Sequence, residues 1–152
     1  MENIGIGYQI PQEALKQMLT ELFPGLQFHY WNREDNERVP ENTILYTYFV
    51  NKSEFPVNLD LYGFPNDHVE EREQYIARQL SIRLSCCTIV PYQEKGSSYP
   101  YHCVIFDKGK SYLADDSETL WADNEGGPVK IIEPIQLIEY QFDLKGNSKR
   151  IS

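Results

Sequence analysis

The sequence predicts an α+β fold, a mainly antiparallel sheet with two helices packed on one face, and three observations predict it. Two segments carry apolar residues at helical spacing. Several others alternate or run apolar over strand length. Short turn-bearing connections join neighbouring strands as hairpins, which favours antiparallel pairing.

The first helix is predicted over Pro11 to Phe23. Pro11 suits a first turn, where its missing N–H loses no bond, and Glu13 complements the positive end of the helix dipole. Leu15, Met18, Leu19 and Leu22 fall at i, i+3, i+4 and i+7 and form one apolar stripe. Pro24-Gly25 ends it. The second helix is predicted over His68 to Leu84, with Asp67 as its cap and Glu70 completing a capping box. Val69, Ile76, Leu80 and Leu84 mark its buried face, while Glu71, Arg72, Glu73 and Arg78 are assigned to solvent.

Strands fill the remainder. Leu26, Phe28 and Tyr30 alternate with polar or amphipathic neighbours. Residues 44–50 are apolar or aromatic on both faces, as in a central strand. Val57, Leu59 and Leu61 alternate with Asn58, Asp60 and Tyr62, and the short 51–56 connection makes these two strands an antiparallel pair. Residues 86–92 and 99–106 read as strands, and Asp107-Lys108-Gly109-Lys110 turns the second of these into 111–114. Residues 115–128 form a polar loop. Residues 129–142 give a strand or strand pair broken near Pro134. The last ten residues are expected to carry little fixed structure.

At 152 residues the chain is the size of one domain, assigned to 1–152. Its 41% hydrophobic and 24% charged residues are ordinary for a globular protein rather than a disordered one. No apolar run approaches the ~18 residues of a membrane helix. Residues 1–10 carry no basic-then-apolar leader, so a cytoplasmic location is expected. Three cysteines without zinc-ribbon spacing read as free thiols. Fourteen basic against 23 acidic residues give a net charge of −9. That field repels nucleic acid and anionic lipid and favours a basic protein partner, although solubility alone also explains it. His29, His68 and His102 are scattered and no phosphate-binding glycine motif occurs, so no metal and no cofactor is expected. Oligomeric state is left open.

Two constellations compete for function. The first is Cys86 or Cys87 with His102 and Asp115. The stretch from Tyr101-His102-Cys103 through Asp107 to Asp115 resembles the His-strand-turn-strand-Asp unit of papain-like and transglutaminase-like cysteine enzymes. That resemblance implies an acid orienting an imidazole toward a thiol in a hydrolase or acyltransferase. In that family the thiol opens a helix, where the dipole favours thiolate; here both cysteines follow one. Buried core cysteines are the alternative. Binding is therefore placed ahead of catalysis, and no residue is assigned as catalytic.

The second constellation is the acidic segment Asp115, Asp116, Glu118, Trp121, Asp123 and Glu125, which holds no Lys or Arg. An aromatic anchor ringed by carboxylates suits the centre of an interface with a basic protein. The plainer reading is a solvated loop whose Trp121 tucks into its own core. The acidic stretch 67–73 could widen the surface, and the 11 tyrosines supply further contact area if they project outward. A small acidic α+β domain with this character is similar to the immunity proteins of bacterial toxin systems. The resemblance implies a cytosolic inhibitor of a cognate toxin, often a basic nuclease domain whose active site its carboxylates block.

Overall fold

The computed structural model describes residues 1–31, 39–94, 96–119 and 127–149. The chain is an α+β fold, with a mainly antiparallel sheet carrying two helices on one face. The elements in order are β1 (Glu2–Ile6), α1 (Gln12–Leu22), β2 (Gln27–Tyr30), β3 (Thr43–Val50), β4 (Val57–Tyr62) and α2 (Val69–Leu84). They continue with β5 (Cys87–Pro91), β6 (His102–Asp107), β7 (Lys110–Asp115), β8 (Lys130–Pro134), β9 (Gln141–Phe142) and β10 (Ser148–Lys149). The main sheet runs β2-β3-β4-β1-β5-β6-β7-β8. Every neighbouring pair is antiparallel except β2–β3, which is parallel.

Strand alternation explains where the core sits. Ile4 and Ile6 of β1, Leu59 and Leu61 of β4, Val90 of β5 and Val104 of β6 point to one face. They meet Leu15, Leu19 and Leu22 of α1 and Ile76 and Leu80 of α2 there. The predicted hairpin after His102 is present. Lys108 and Gly109 both take positive φ, 50° and 92°, which matches the right-handed twist of the strands they join.

Four features depart from the sequence expectation. The first is β1, a mid-sheet strand where none was predicted. Glu2-Asn3-Ile4-Gly5-Ile6 is short and interrupted by glycine, so its strand character comes from pairing with β4 along its whole length. The second is on α2. Arg72 and Glu73, assigned to solvent, are buried. Arg72 lies 3.6 Å from the Glu2 carboxylate, an ion-pair contact rather than a short hydrogen bond. Its guanidinium donates to the carbonyls of Gly146, Pro65 and Asp67 at 2.7, 3.2 and 3.2 Å, and stands 5.2 Å from the ring centres of both Phe64 and Phe142. Five donors in a planar fork between two rings make the burial tolerable.

The third departure follows from the second. Asp67 does not cap α2; the cap position is His68 in the left-handed region with no side-chain bond, because Arg72 draws in the carbonyls of the preceding turn. The fourth is the C-terminus. Residues 143–149 are folded rather than loose. Asp143 accepts the N–H groups of Lys145 and Asn147 at 2.9 Å each, β9 pairs with β10, and Phe142 enters the core beside Tyr75.

Glu73 shows the consequence of this burial. The β1–β5 ladder ends at Gly5–Ile89, and the Asn3 N–H beyond it donates to Glu73 at 2.7 Å. Burial, with only partial relief from that bond, pushes the Glu73 carboxyl up to about 8 from an ordinary 4.5. Between those values the folded chain holds a proton that the unfolded chain has released. Stability is therefore lost as pH rises through the window, by up to about 1.4 kcal/mol per pH unit. Urea denaturation at pH 5 and pH 8 is expected to show a clear fall in the native chain. Glu73→Gln, which keeps an acceptor for Asn3, should show a shallower fall. Equal slopes would remove Glu73 from the explanation.

Candidate functional site

The face of the sheet away from the helices carries a polar strip and a pocket. Alternation sends Thr47, Asn58, Asp60 and Asn3 to this side. The Asn3 side-chain amide donates one hydrogen to Asn58 Oδ1 at 3.2 Å and the other to Asp60 Oδ1, and Thr47 donates to Asp60 Oδ2 at 3.2 Å. A carboxylate only accepts, so the amide nitrogen of Asn3 must face Asp60, leaving Asn3 Oδ1 as an acceptor.

Beside this strip lies a cavity of about 330 Å³. Gly5, Ile89 and Cys103 from three adjacent strands form its base, and Asn3 and Asn58 border it. The β3–β4 loop contributes Asn51 and Phe55, and the opposite border is Pro100 and Asp116. Glu54 of that loop accepts the Val129 N–H at 2.6 Å, so the loop is tied to the chain entering β8. Glycine is required at position 5. A Cβ there would lie 2.6 Å from Ile89 Cγ2 and 3.4 Å from Phe55 Cβ.

Asp115 ends β7 directly opposite His102, as the strand-turn-strand reading expected. Its carboxylate accepts from the Ser117 N–H at 2.8 Å and from the Tyr99 hydroxyl at 2.5 Å. The bonds from Ser117 and then Tyr99 hold it down to about 2. Asp115 thus fixes the turn it begins. Asp116 borders the pocket, and its N–H donates to the Tyr101 carbonyl at 3.0 Å. Glu118 is exposed and pairs with Lys130 at 2.8 Å. Trp121, Asp123 and Glu125 lie outside the described residues. The second acidic stretch does not form a continuous outer face, since Arg72 and Glu73 turn inward.

Two of the tyrosines expected to give contact area if they project outward lie here. Tyr99 and Tyr101 are 39% and 47% exposed and meet edge to face with ring centres 5.6 Å apart. They stand beside Asp115 and Asp116. Asn3, Gly5 and Asn58 carried no functional signal in the sequence, because only sheet register brings them to one face.

The thiols are not brought to the histidine. Cys87 pairs with Asp107, at the far end of β6 from His102, a separation of roughly 16 Å at about 3.3 Å per residue. Cys86 precedes it, further still. Cys103 adjoins His102 but pairs with Ala114, while His102 pairs with Asp115, and consecutive strand residues face opposite ways. The Tyr99 ring lies against His102, tilted by 53° with ring centres 4.6 Å apart, and His102 Nδ1 is buried with no hydrogen-bond partner among the described residues. Burial raises all three thiols, Cys86 to about 11 and Cys103 to about 12. At Cys103 the carboxylates of Asp116, Asp115 and Glu54 add to burial, so the pocket base sits in a negative field.

Among the described residues no group of three His, Cys, Asp or Glu is placed to hold a metal, and no helix is long and apolar enough to cross a membrane. Fold and site together define an α+β domain with a pocket bordered by Asp116 beside an exposed tyrosine pair. Compared with protein-family models, curated proteins and solved structures, the chain matches none.

Iodoacetamide at pH 7 should alkylate all three cysteines slowly in the folded chain and rapidly once it is unfolded in urea. A single cysteine labelling in the native state at a papain-like rate would restore the thiol-enzyme reading.

Proposed function

We propose that this chain is a cytoplasmic protein-binding domain that docks a basic partner at the pocket end of its sheet, in the manner of an immunity protein neutralising a bacterial toxin. The observation that carries the reading is the exposed Tyr99–Tyr101 ring pair, with the Tyr99 hydroxyl donating to the Asp115 carboxylate and the Asp116 N–H donating to the Tyr101 carbonyl. Tyrosine supplies contact area with little loss of side-chain freedom, and a rim on which carboxylates outnumber the single Lys130 ammonium accelerates encounter with a basic partner. The net charge of −9 adds to that steering. Trp121, Asp123 and Glu125 extend the same acidic sequence and belong to the proposed surface on sequence grounds. The separation of His102 from Cys86 and Cys87 favours binding over the thiol-dependent hydrolase or acyltransferase.

The partner is to be sought among the products of genes flanking this one, and its association measured by stopped flow. Asp115 is left intact because it builds the turn. Reversal of Asp116, Glu118 and Asp123 to lysine is expected to slow association roughly tenfold or more at low salt, with most of the steering lost at high salt. An association rate indifferent to both salt and charge would refute the proposed surface.

A further inference from the structure

We infer that the pocket where β1 and β5 part holds one carboxamide side chain, a glutamine or asparagine of the partner, an inference that rests on the docking reading above. Gly5 and Gly7 turn their backbone groups to β5, Gly5 opposite Ile89 and Gly7 through a 2.8 Å bond to the Cys87 carbonyl. In the same register Asn3 falls opposite Pro91, which has no N–H to continue the ladder. The Asn3 N–H turns to Glu73 instead, and the strands separate. The cavity of about 330 Å³ opens at this separation, with Asn3, Pro91 and Cys103 among its lining residues from three adjacent strands. That volume is at the small end for ligand sites and suits a single side chain.

Three asparagines line the pocket, and the bonds they make fix how each amide is turned. Both amide hydrogens of Asn3 are used, on Asn58 Oδ1 and on Asp60 Oδ1, so Asn3 Oδ1 remains as an acceptor. Asn58 thus gives its oxygen to Asn3 and keeps its NH2 group as a donor. Asn51 Oδ1 accepts the Ser53 N–H at 2.8 Å, so its NH2 group is kept as well. Among the described residues nothing uses these three groups, and Ile89, Cys103 and Pro100 give them apolar surroundings.

A carboxamide matches this set. Its NH2 group donates to Asn3 Oδ1, and its carbonyl oxygen accepts from Asn58 and Asn51. A guanidinium or ammonium carries no acceptor and leaves both asparagine donors unmatched. A carboxylate carries no donor and leaves Asn3 Oδ1 unmatched. An aliphatic side chain strands all three groups, each with its desolvation cost.

The test uses the full chain labelled with nitrogen-15 and titrated with Nα-acetyl-glutamine methylamide, then with the glutamate and methionine counterparts, which carry the same backbone amides. The glutamine probe is expected to shift the backbone amides of Asn3, Gly5, Ile89 and Cys103 and the side-chain NH2 resonances of Asn51 and Asn58, saturably at millimolar concentration. The other two probes should bind more weakly by roughly fivefold or more, the worth of a hydrogen bond. Asn58→Asp keeps the acceptor for Asn3 and Asn51→Asp keeps the acceptor for Ser53, while each removes one donor. Both should weaken the glutamine probe by roughly the same factor. Asn51 lies in the β3–β4 loop, so its variant reports even where the strand substitution disturbs folding. Failure of the glutamine probe to saturate, equal binding of all three probes, or unchanged affinity in both variants would each overturn the inference. Such a failure while the partner's association still responds to charge reversal removes the pocket assignment alone. A partner indifferent to charge reversal removes the docking surface, and the pocket's preference for a carboxamide then stands on the titration.

Discussion

The position of β1 in the middle of the sheet is the constraint on which everything else depends. Two blocks of strands, β2-β3-β4 and β5-β6-β7-β8, meet only through its five residues. Its ladder with β5 covers just Gly5 and Ile6, so the seam needs support from side chains. Arg72 and Glu73 supply it from the helix side, one through Glu2 and the other through the Asn3 N–H. Asn3 supplies it from the opposite side through Asn58 and Asp60. A buried guanidinium with one ion pair and three carbonyl acceptors is hard to replace, because each acceptor it satisfies would be left in a dry interior.

This seam also creates the pocket. Gly5 is the one position in the strand where the backbone is bare, and Phe55 and Ile89 close on it. The same register sets Asn3 beside Asn58 and leaves the acidic turn after β7 at the border. A chain with β1 displaced would keep its helices and hairpins but lose this arrangement. The C-terminal hairpin belongs to the same system, since the Gly146 carbonyl and the Phe142 ring enclose the guanidinium that holds Glu2.

Much of the architecture was legible in the sequence because it is local. The apolar stripe of α1, the buried side of α2 at Ile76 and Leu80, the β3–β4 pair and the Lys108-Gly109 hairpin each follow from spacing or turn chemistry within a few residues. What was not legible is non-local. Glu2–Ile6 becomes a strand only because β4 and β5 accept it. Arg72 and Glu73 look solvated on α2, and only the arrival of Glu2, Asn3 and Gly146 from distant parts of the chain turns them inward. Of the site, Asp115 and Asp116 were visible as charge, and His102 opposite Asp115 as a strand pattern. The thiol distance and the amide strip required the sheet order, which alternation along single strands does not encode.

Arg72 clamps β1 and the C-terminal hairpin as one unit. The most direct test of this clamp is native-state hydrogen exchange, with urea denaturation alongside, on Arg72→Met, a substitution that keeps much of the side chain's bulk but none of its donors. The expected result is a loss of about 3–5 kcal/mol, with the amides of Glu2–Ile6 and of residues 141–149 losing protection together. A change within about 1 kcal/mol, the scale of an ordinary substitution, with β1 protection intact would contradict the account.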